Sequence, residues 1–379
     1  MHSFQNDSKM YWRLITDDNV SASFGLAADD ALAQRAGIGA SPSTLRLYTY
    51  RSHCALAGRF QRIENEIHLD FCRRHDIQVN RRPTGGGAII MGAEQLGVAL
   101  MIPAGGEDTY GRARELMEKF SAGVVWALHQ LGVPAHFRRK NDIEVHGRKI
   151  AGLGIHRAGN GGLLFHASLL VDLDVPLMLR VLNTPFEKIS DKEIATVAAR
   201  TTTVRRELGR LISLNEVRHK VAEGYARAFN TKMKGGDFSA EELHAINKLE
   251  QEKYLSRDWI FQATAVSDAR GAAKMKTPGG LLEVKVTLAG RMLKAAYITG
   301  DFFAAENAVA DLEASLRWHT SAPEAIATTL QRVYAKHQNE LGAIPLRMLI
   351  ETVQAAVEQA LDADANPYGC FVNPEAAHA

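Results

Sequence analysis

KNDIEVHGRKIAGLGIHRAGNGGLLFHASLL, residues 140–170, reads as strand, tight turn, strand, loop, strand. Ile143 and Val145 alternate with Asp142 and Glu144, the period-two pattern of a half-buried strand. His146-Gly147 supplies a hairpin turn, because glycine tolerates the positive φ that such turns need. The return strand begins at Arg148, and Lys149 is followed by the small residues Ala151, Gly152 and Gly154. Side chains this small let a ligand lie close against the backbone. A lysine beside glycines, two residues past a turn, can hold an anionic oxygen. Asn141 and Asp142 add an amide and a carboxylate, able to take a hydroxyl or a magnesium ion. Taken alone, the hairpin is better explained by ordinary turn chemistry and a solvated lysine.

A second stretch, NRRPTGGGAIIMG at 80–92, changes the weighting. Gly85, Gly86 and Gly87 stand between a basic pair and an apolar run, where backbone N–H groups can wrap a phosphate or a ligand chain. The spacing is neither that of a P-loop nor that of the dinucleotide fingerprint. Arg81 and Arg82 add charge where a phosphate would sit. The bland alternative is a surface turn with solvated arginines.

The 379 residues suffice for two domains with cores of their own. A net charge of +2 gives no sign of wholesale nucleic-acid binding, and 46% hydrophobic with 23% charged residues is a globular profile. No apolar run approaches the roughly 20 residues that span a bilayer, and MHSFQNDSKMYWR lacks a signal-peptide core. The cysteines, Cys54, Cys72 and Cys370, are odd in number and far apart, which argues for free thiols in a reducing compartment. The expectation is a cytoplasmic protein without nucleic-acid or membrane partners.

Together, RRPTGGG with its apolar run, KNDI-x-V-x-GRKIAG and LLFHASLL resemble the lipoate–protein ligases of the biotin/lipoate ligase superfamily. SFGLAADDALA is similar to that family's first helix, and LRLYTY and AGRFQ to the strands that follow. Further on, GGLLEVKVTLAGRMLKAAYITGDFF resembles its C-terminal accessory domain, so the likeness covers most of 11–320. It implies an α+β protein: a mixed or antiparallel sheet flanked by helices, plus a smaller α+β accessory domain. The expected divisions are a catalytic domain at 1–235, a linker at 236–252 around the polar run after Gly235-Gly236, an accessory domain at 253–345, and a helix and tail at 346–379.

Three chemistries share this fold. Biotin ligases carry a similar hairpin but also a Gly-Arg-Gly-Arg loop, which is absent here. Octanoyl and lipoyl transferases work through an acyl-cysteine, and no cysteine occurs between Cys72 and Cys370. The resemblance therefore implies ATP-dependent ligation of lipoate, or a related medium-chain acid, to a lysine of an apo lipoyl domain or other lipoyl-carrier protein. A cysteine-independent octanoyl or lipoyl transferase, or a catalytically weak paralogue that binds lipoylated protein, is the alternative. In the ligase reading Lys149 is catalytic and spans acyl carbonyl and phosphate. Arg82, Thr84 and Gly85 to Gly87 line the ligand path, with Ile89, Ile90 and Leu164 as apolar wall. Asn141 and Asp142 hold the nucleotide side, Asp142 also being the candidate magnesium ligand. Ala151, Gly152, Gly154 and His166 complete the set. ATP, Mg2+ and lipoate are the implied small molecules, and a monomer is expected. One departure stands out: the family carries His, often followed by Asp, where this chain has Met91-Gly92.

Other elements follow from pattern. Ser21 or Ser23 caps a helix to about Arg35, whose Asp29-Asp30 pair is expected to be solvated or to cap locally. One helix is expected over Glu64–His75, and a capping box at Ser321-x-x-Glu324.

Overall fold

The computed structural model describes residues 11–106, 108–138, 141–183, 196, 199–262 and 271–365. The chain divides into two compact units, Met1–Gln262 and Ala263–Ala379. Among the described residues, the first unit is built on an eight-stranded mixed sheet. Its strands are β1 (Tyr11–Val20), β2 (Thr44–Tyr50), β6 (Gln95–Pro103), β7 (His136–Arg138), β8 (Asp142–Val145), β9 (Arg148–Arg157), β10 (Gly162–Leu170) and β11 (Lys232–Gly235). Their order is β11-β1-β2-β6-β10-β9-β8-β7. The β1 strand runs parallel to both neighbours, and β2 onward pair antiparallel. A separate three-stranded sheet joins β3 (Cys54–Ala57), β4 (Gln78–Arg81) and β5 (Ile89–Met91) in the order β4-β3-β5.

The two faces of the large sheet differ in chemistry. On one, Leu45, Leu47, Val98, Leu100, Phe165 and Leu169 are fully buried. The helix Ala113–Gln130 packs there, with Phe120 5.8 Å from Phe165, and the helix Leu214–Ala228 packs on it in turn. Gly224 allows that approach, since a Cβ there would come 2.1 Å from Gly123 O. Burying each such side chain stabilises the fold by roughly 1.5–3 kcal/mol. The opposite face carries glycines and polar groups. One end of it is covered by α1 (Ala22–Gly37), capped by Ser21 Oγ accepting from Phe24 N at 3.1 Å.

Asp29 and Asp30, expected to be solvated or to cap locally, are instead 2% and 1% exposed. Their side chains point from α1 onto the sheet and onto the chain beyond residue 237. Arg46 Nη1 donates to Asp29 Oδ1 at 2.8 Å and Tyr48 Oη to Asp29 Oδ2 at 3.0 Å. Lys253 and Tyr254 reach Asp30 Oδ2 at 2.8 and 2.7 Å. Burial raises the Asp29 carboxyl despite Arg46 beside it. Burial also pushes Asp30 upward, but Lys253 and the hydrogen bonds prevail and hold it below the ordinary value. Removing one partner from such a buried pair costs far more than the intact pair contributes.

Three further expectations are corrected. The helix over Glu64–His75 is two short ones, Ile63–Glu66 and Leu69–Arg74, broken where Ile67 bridges to Leu182. The segment 236–252 is no flexible linker. Ser239 and Glu242 form a capping box that starts the helix Ala240–Leu249, continued by a π-helical turn, Glu250–Tyr254. Glu242 binds Arg13 through two contacts of 2.7 Å, which ties the helix to β1, and Gly235 lies in the edge strand β11. The division between units falls at Gln262 because these contacts keep 237–261 with the first unit.

The second unit is a four-stranded antiparallel sheet of β12 (Gly271–Thr277), β13 (Gly280–Ala289), β14 (Met292–Gly300) and β15 (His319–Thr320), in that order. The helix Leu346–Ala365 packs on it: Gln359 Oε1 accepts from Ala272 N at 2.6 Å, and a Cβ on Gly271 would meet Ala356 O at 2.0 Å. That helix thus shares a unit with the sheet rather than standing apart. The helix Pro323–Lys336 starts from Ala322 with no side-chain cap, so the expected Ser321 box is absent. Lys140 and the tail with Cys370 lie outside the described residues, as does much of the segment after Pro185 for which the charged sequence predicts helix.

Candidate functional site

The β8–β9 turn places both His146 and Gly147 at positive φ, 51° and 77°, the geometry of a two-residue hairpin whose twist matches its strands. Val145 pairs with Arg148 and Glu144 with Lys149; then the register shifts, and Ile143 pairs with Ala151 and Asp142 with Gly152. Ile150 is the extra residue of a β-bulge. In a regular strand, residues three apart point to opposite faces. The bulge re-aims Lys149 so that its side chain passes over Gly152. A Cβ on Gly152 would lie 3.1 Å from Lys149 Nζ and 3.2 Å from its Cε. Across that gap Nζ stands 2.7 Å from Asp142 Oδ1, with the two side chains 35% and 22% exposed. The contact is an ion pair, and Oδ1 has no hydrogen-bond donor of its own.

Asn141 fixes the base of the hairpin. Its O accepts from Leu153 N at 2.7 Å, and its Nδ2 donates to Leu153 O at 3.2 Å. On the next strand, Ser168 and His166 stand in register with Gly152 and Gly154. A Cβ on Gly154 would fall 2.1 Å from His166 Nε2 and 3.1 Å from Thr84 Oγ1. Those two side chains meet at 3.2 Å, which carries the glycine-rich loop onto the sheet. Burial, then Arg82 and His156, press the imidazole down to about 3, so His166 is neutral at pH 7.

Arg82 turns inward rather than to solvent. Its guanidinium donates to Leu56 O, Gly85 O, Gly87 O and Thr84 Oγ1 at 2.8, 3.1, 2.6 and 3.1 Å. Burial pulls this cation down to about 10. Arg82 therefore shapes the loop and places positive charge beneath it. Ile89 joins the core under α1 that also holds Leu164, whereas Ile90 joins the core of Ala55, Ile63 and Ile67. Neighbouring strand residues face opposite ways, so these two do not share a wall. Ala151, fully buried, faces away from Gly152.

A further contact at the site had no motif behind it. Thr201 bridges to Lys149, and Thr202 N donates to Lys149 O at 2.8 Å. Glu207 then accepts from Arg148 Nη2 at 2.8 Å and from the Thr202 hydroxyl. Three threonines in a row carry no spacing signal for such a partnership. Asp142 is the single carboxylate of the expected ligand set. Among the described residues no group of three or more His, Cys, Asp or Glu is arranged to hold a metal.

A sheet face of glycines thus lies beneath the re-aimed lysine, and the triple-glycine loop reaches that face through Thr84 and His166. Residues 21–226 match the lipoyl protein ligase A/B catalytic domain, and the chain belongs to that family. It is 31% identical over 274 residues to the octanoyltransferase LipM of Symbiobacterium thermophilum, covering 65% of this chain and 97% of the relative. Among solved structures, it resembles the bi-partite lipoate protein ligase of Thermoplasma acidophilum, described with its E2 lipoyl domain. The TM-score is 0.60 at 25% identity, over 66% of this chain and 96% of that one. LipL1 of P. falciparum, in complex with lipoate, matches 92% of this chain and 99% of its own with a TM-score of 0.68; at 16% identity it shows the fold alone. The chain is thus an enzyme of the lipoate ligase and octanoyltransferase superfamily. Among the described residues, no helix is long and apolar enough to cross a membrane.

Proposed function

We propose that this chain joins a lipoate-type medium-chain acid to a lysine of a lipoyl-carrier protein, activating the acid with ATP as an acyl-adenylate. The observation that carries this reading is the Lys149 ammonium, held 2.7 Å from Asp142 over Gly152, in a site to which no described thiol contributes. A carboxylate is a poor acyl donor until its oxygen can leave. Attack of that oxygen on the α-phosphorus breaks the bond to pyrophosphate and gives acyl-AMP. The neutral amine of the acceptor lysine then attacks the acyl carbonyl carbon, AMP departs with the oxygen, and the amine's proton passes to solvent. Both steps build negative charge beside Lys149, where a fixed cation lowers the barrier. Asn141, Thr84, His166 and the loop Gly85–Gly87 would orient the nucleotide and acyl chain. The acceptor is an apo lipoyl domain or related carrier, in keeping with the E2 lipoyl domain of the archaeal ligase system.

A second reading, acyl transfer from a thioester donor, is favoured by the octanoyltransferase LipM relative. A covalent acyl-cysteine needs a thiolate at the site. Cys54 and Cys72 sit in the two cores, where burial pushes Cys72 up to about 11 and Cys54 further. The test supplies purified protein and apo carrier with either lipoate or octanoate plus ATP and magnesium, or an octanoyl thioester without ATP. Carrier mass and pyrophosphate are measured. Mass gain with stoichiometric pyrophosphate is expected in the first arm. Transfer in the second arm alone would replace the ligase by the transferase.

A further inference from the structure

The segment 237–261 lies beyond the span 21–226 that matches the family domain. It grips the first unit along two lines. One runs to α1 and β1: Ser23 Oγ donates to Glu250 Oε1 at 2.6 Å, Lys253 and Tyr254 hold Asp30, and Glu242 holds Arg13. The other runs toward the glycine-rich loop. Trp259 Nε1 donates to Arg81 O at 2.9 Å, and Asn80 Nδ2 donates to Tyr254 O at 2.8 Å. Arg81 is fully buried, and its Nε returns to Trp259 O and Ile260 O at 3.0 and 3.1 Å. Its Nη1 reaches Gly58 O, Arg59 O and Gln61 O at 2.9, 3.0 and 2.6 Å.

The turn thus held, 58–61, is the backing of the ligand loop. Arg59 N donates to Thr84 O at 2.9 Å, and a Cβ on Gly58 would lie 1.9 Å from Gly86 O. The next residue, Arg82, gathers Gly85 O and Gly87 O. Three consecutive glycines have more conformational freedom to lose than any other tripeptide. A loop built from them keeps one shape only where surrounding groups impose it. We propose that Arg81 and Trp259 are positioning residues for the ligand-binding loop, transmitting the placement of the 257–261 helix, outside the family domain, through the 58–61 turn to Thr84–Gly87. This rests on the reading that the loop holds the acyl or adenylate group.

Trp259→Phe in the full chain tests it. The ring that stacks against Arg59 and Lys253, 4.8 and 4.1 Å from its centroid, is largely kept, and the indole N–H donation to Arg81 O is lost. Amide exchange over 82–91 is expected to quicken about fivefold, the equivalent of one hydrogen bond, while 142–157 stays unchanged. KM for the acid and ATP should rise by a similar factor with kcat unaltered, the pattern of lost uniform binding. Ser23→Ala, which cuts the other line, should lower Tm without touching exchange over 82–91. Exchange that is unchanged over 82–91, or raised everywhere alike, overturns the proposal, as does a kcat loss with KM intact. If the wild-type chain neither ligates nor transfers, yet exchange in Trp259→Phe still localises to 82–91, the functional reading fails and the positioning stands. An active enzyme whose loop ignores Trp259→Phe refutes the positioning alone.

Discussion

Lys149→Ala separates what this lysine does for the fold from what it does for the reaction. Its structural share is small. The pair with Asp142 is 2.7 Å long, but the side chains are 35% and 22% exposed, so solvent screens much of the attraction. Pairs of this kind contribute about 0–1 kcal/mol. In a unit of this size 1 kcal/mol moves Tm by about 2–4 °C, and Lys149 O keeps its bond from Thr202 N because that contact is backbone. The chemical share is large. Deleting one charge-stabilising donor from a preorganised site costs about 100- to 1,000-fold in rate, roughly 2.7–4 kcal/mol. The assay is paired: thermal unfolding, and pyrophosphate release with lipoate and ATP followed by carrier mass. The expected result is a Tm within a few degrees of wild type and a rate near background. A variant that melts normally and ligates at the wild-type rate would refute the role of Lys149. One that loses its fold would refute the screening estimate behind the structural share.

Other substitutions probe the rest of the site and the two units. Gly154→Ala should expel the His166 ring, since the new Cβ would stand 2.1 Å from Nε2, and raise KM for the acid before kcat changes; an unaltered KM would show that His166 does not face the ligand. Cys54→Ser and Cys72→Ala should leave ligation intact, and iodoacetamide at neutral pH should label neither thiol in the folded protein, because burial raises both. His166 and His337 should act on stability with opposite signs. His166 is held near 3, so the unfolded chain binds the extra proton first, and stability falls as pH drops from about 6.5. For His337, burial pulls the other way but Glu340 and Asp311 raise it, so its contribution is complete below about 6.5 and fades as pH climbs through the folded value. Urea titrations of His166→Gln and His337→Gln across that range should flatten the respective limb. A fragment ending at Gln262 should fold and form acyl-adenylate, whereas one ending at Ala240 should fail to fold because Asp30 would be buried without Lys253 and Tyr254; circular dichroism of both decides it.

Local rules made much of this chain readable from its residues. His146-Gly147 demands a positive-φ turn, period-two alternation marks Asp142–Val145 and Leu282–Leu288, and Ser21 caps a helix; each depends on neighbours within one or two turns of chain. The combination of RRPTGGG with GRKIAG pointed to the ligase superfamily by resemblance of the joined motifs, which neither stretch carries alone. Tertiary structure decided what those residues touch. Two adjacent aspartates read as solvated or capping, and only the strand bearing Arg46 and a segment more than two hundred residues away explain their burial. The segment 236–252 has the composition of a linker, yet capping and ion pairs to distant partners make it a helix of the first unit. Arg81 and Arg82 are adjacent and alike in sequence, but one binds the 58–61 turn to the 257–261 helix and the other cradles the glycine loop. The bulge at Ile150 aims Lys149, and it arises from pairing between two strands, which neither strand encodes alone. Backbone conformation answers to short-range sterics that a sequence displays directly. The partner of a buried charge is set by long-range packing, where residues distant in sequence compete for the same few hydrogen bonds.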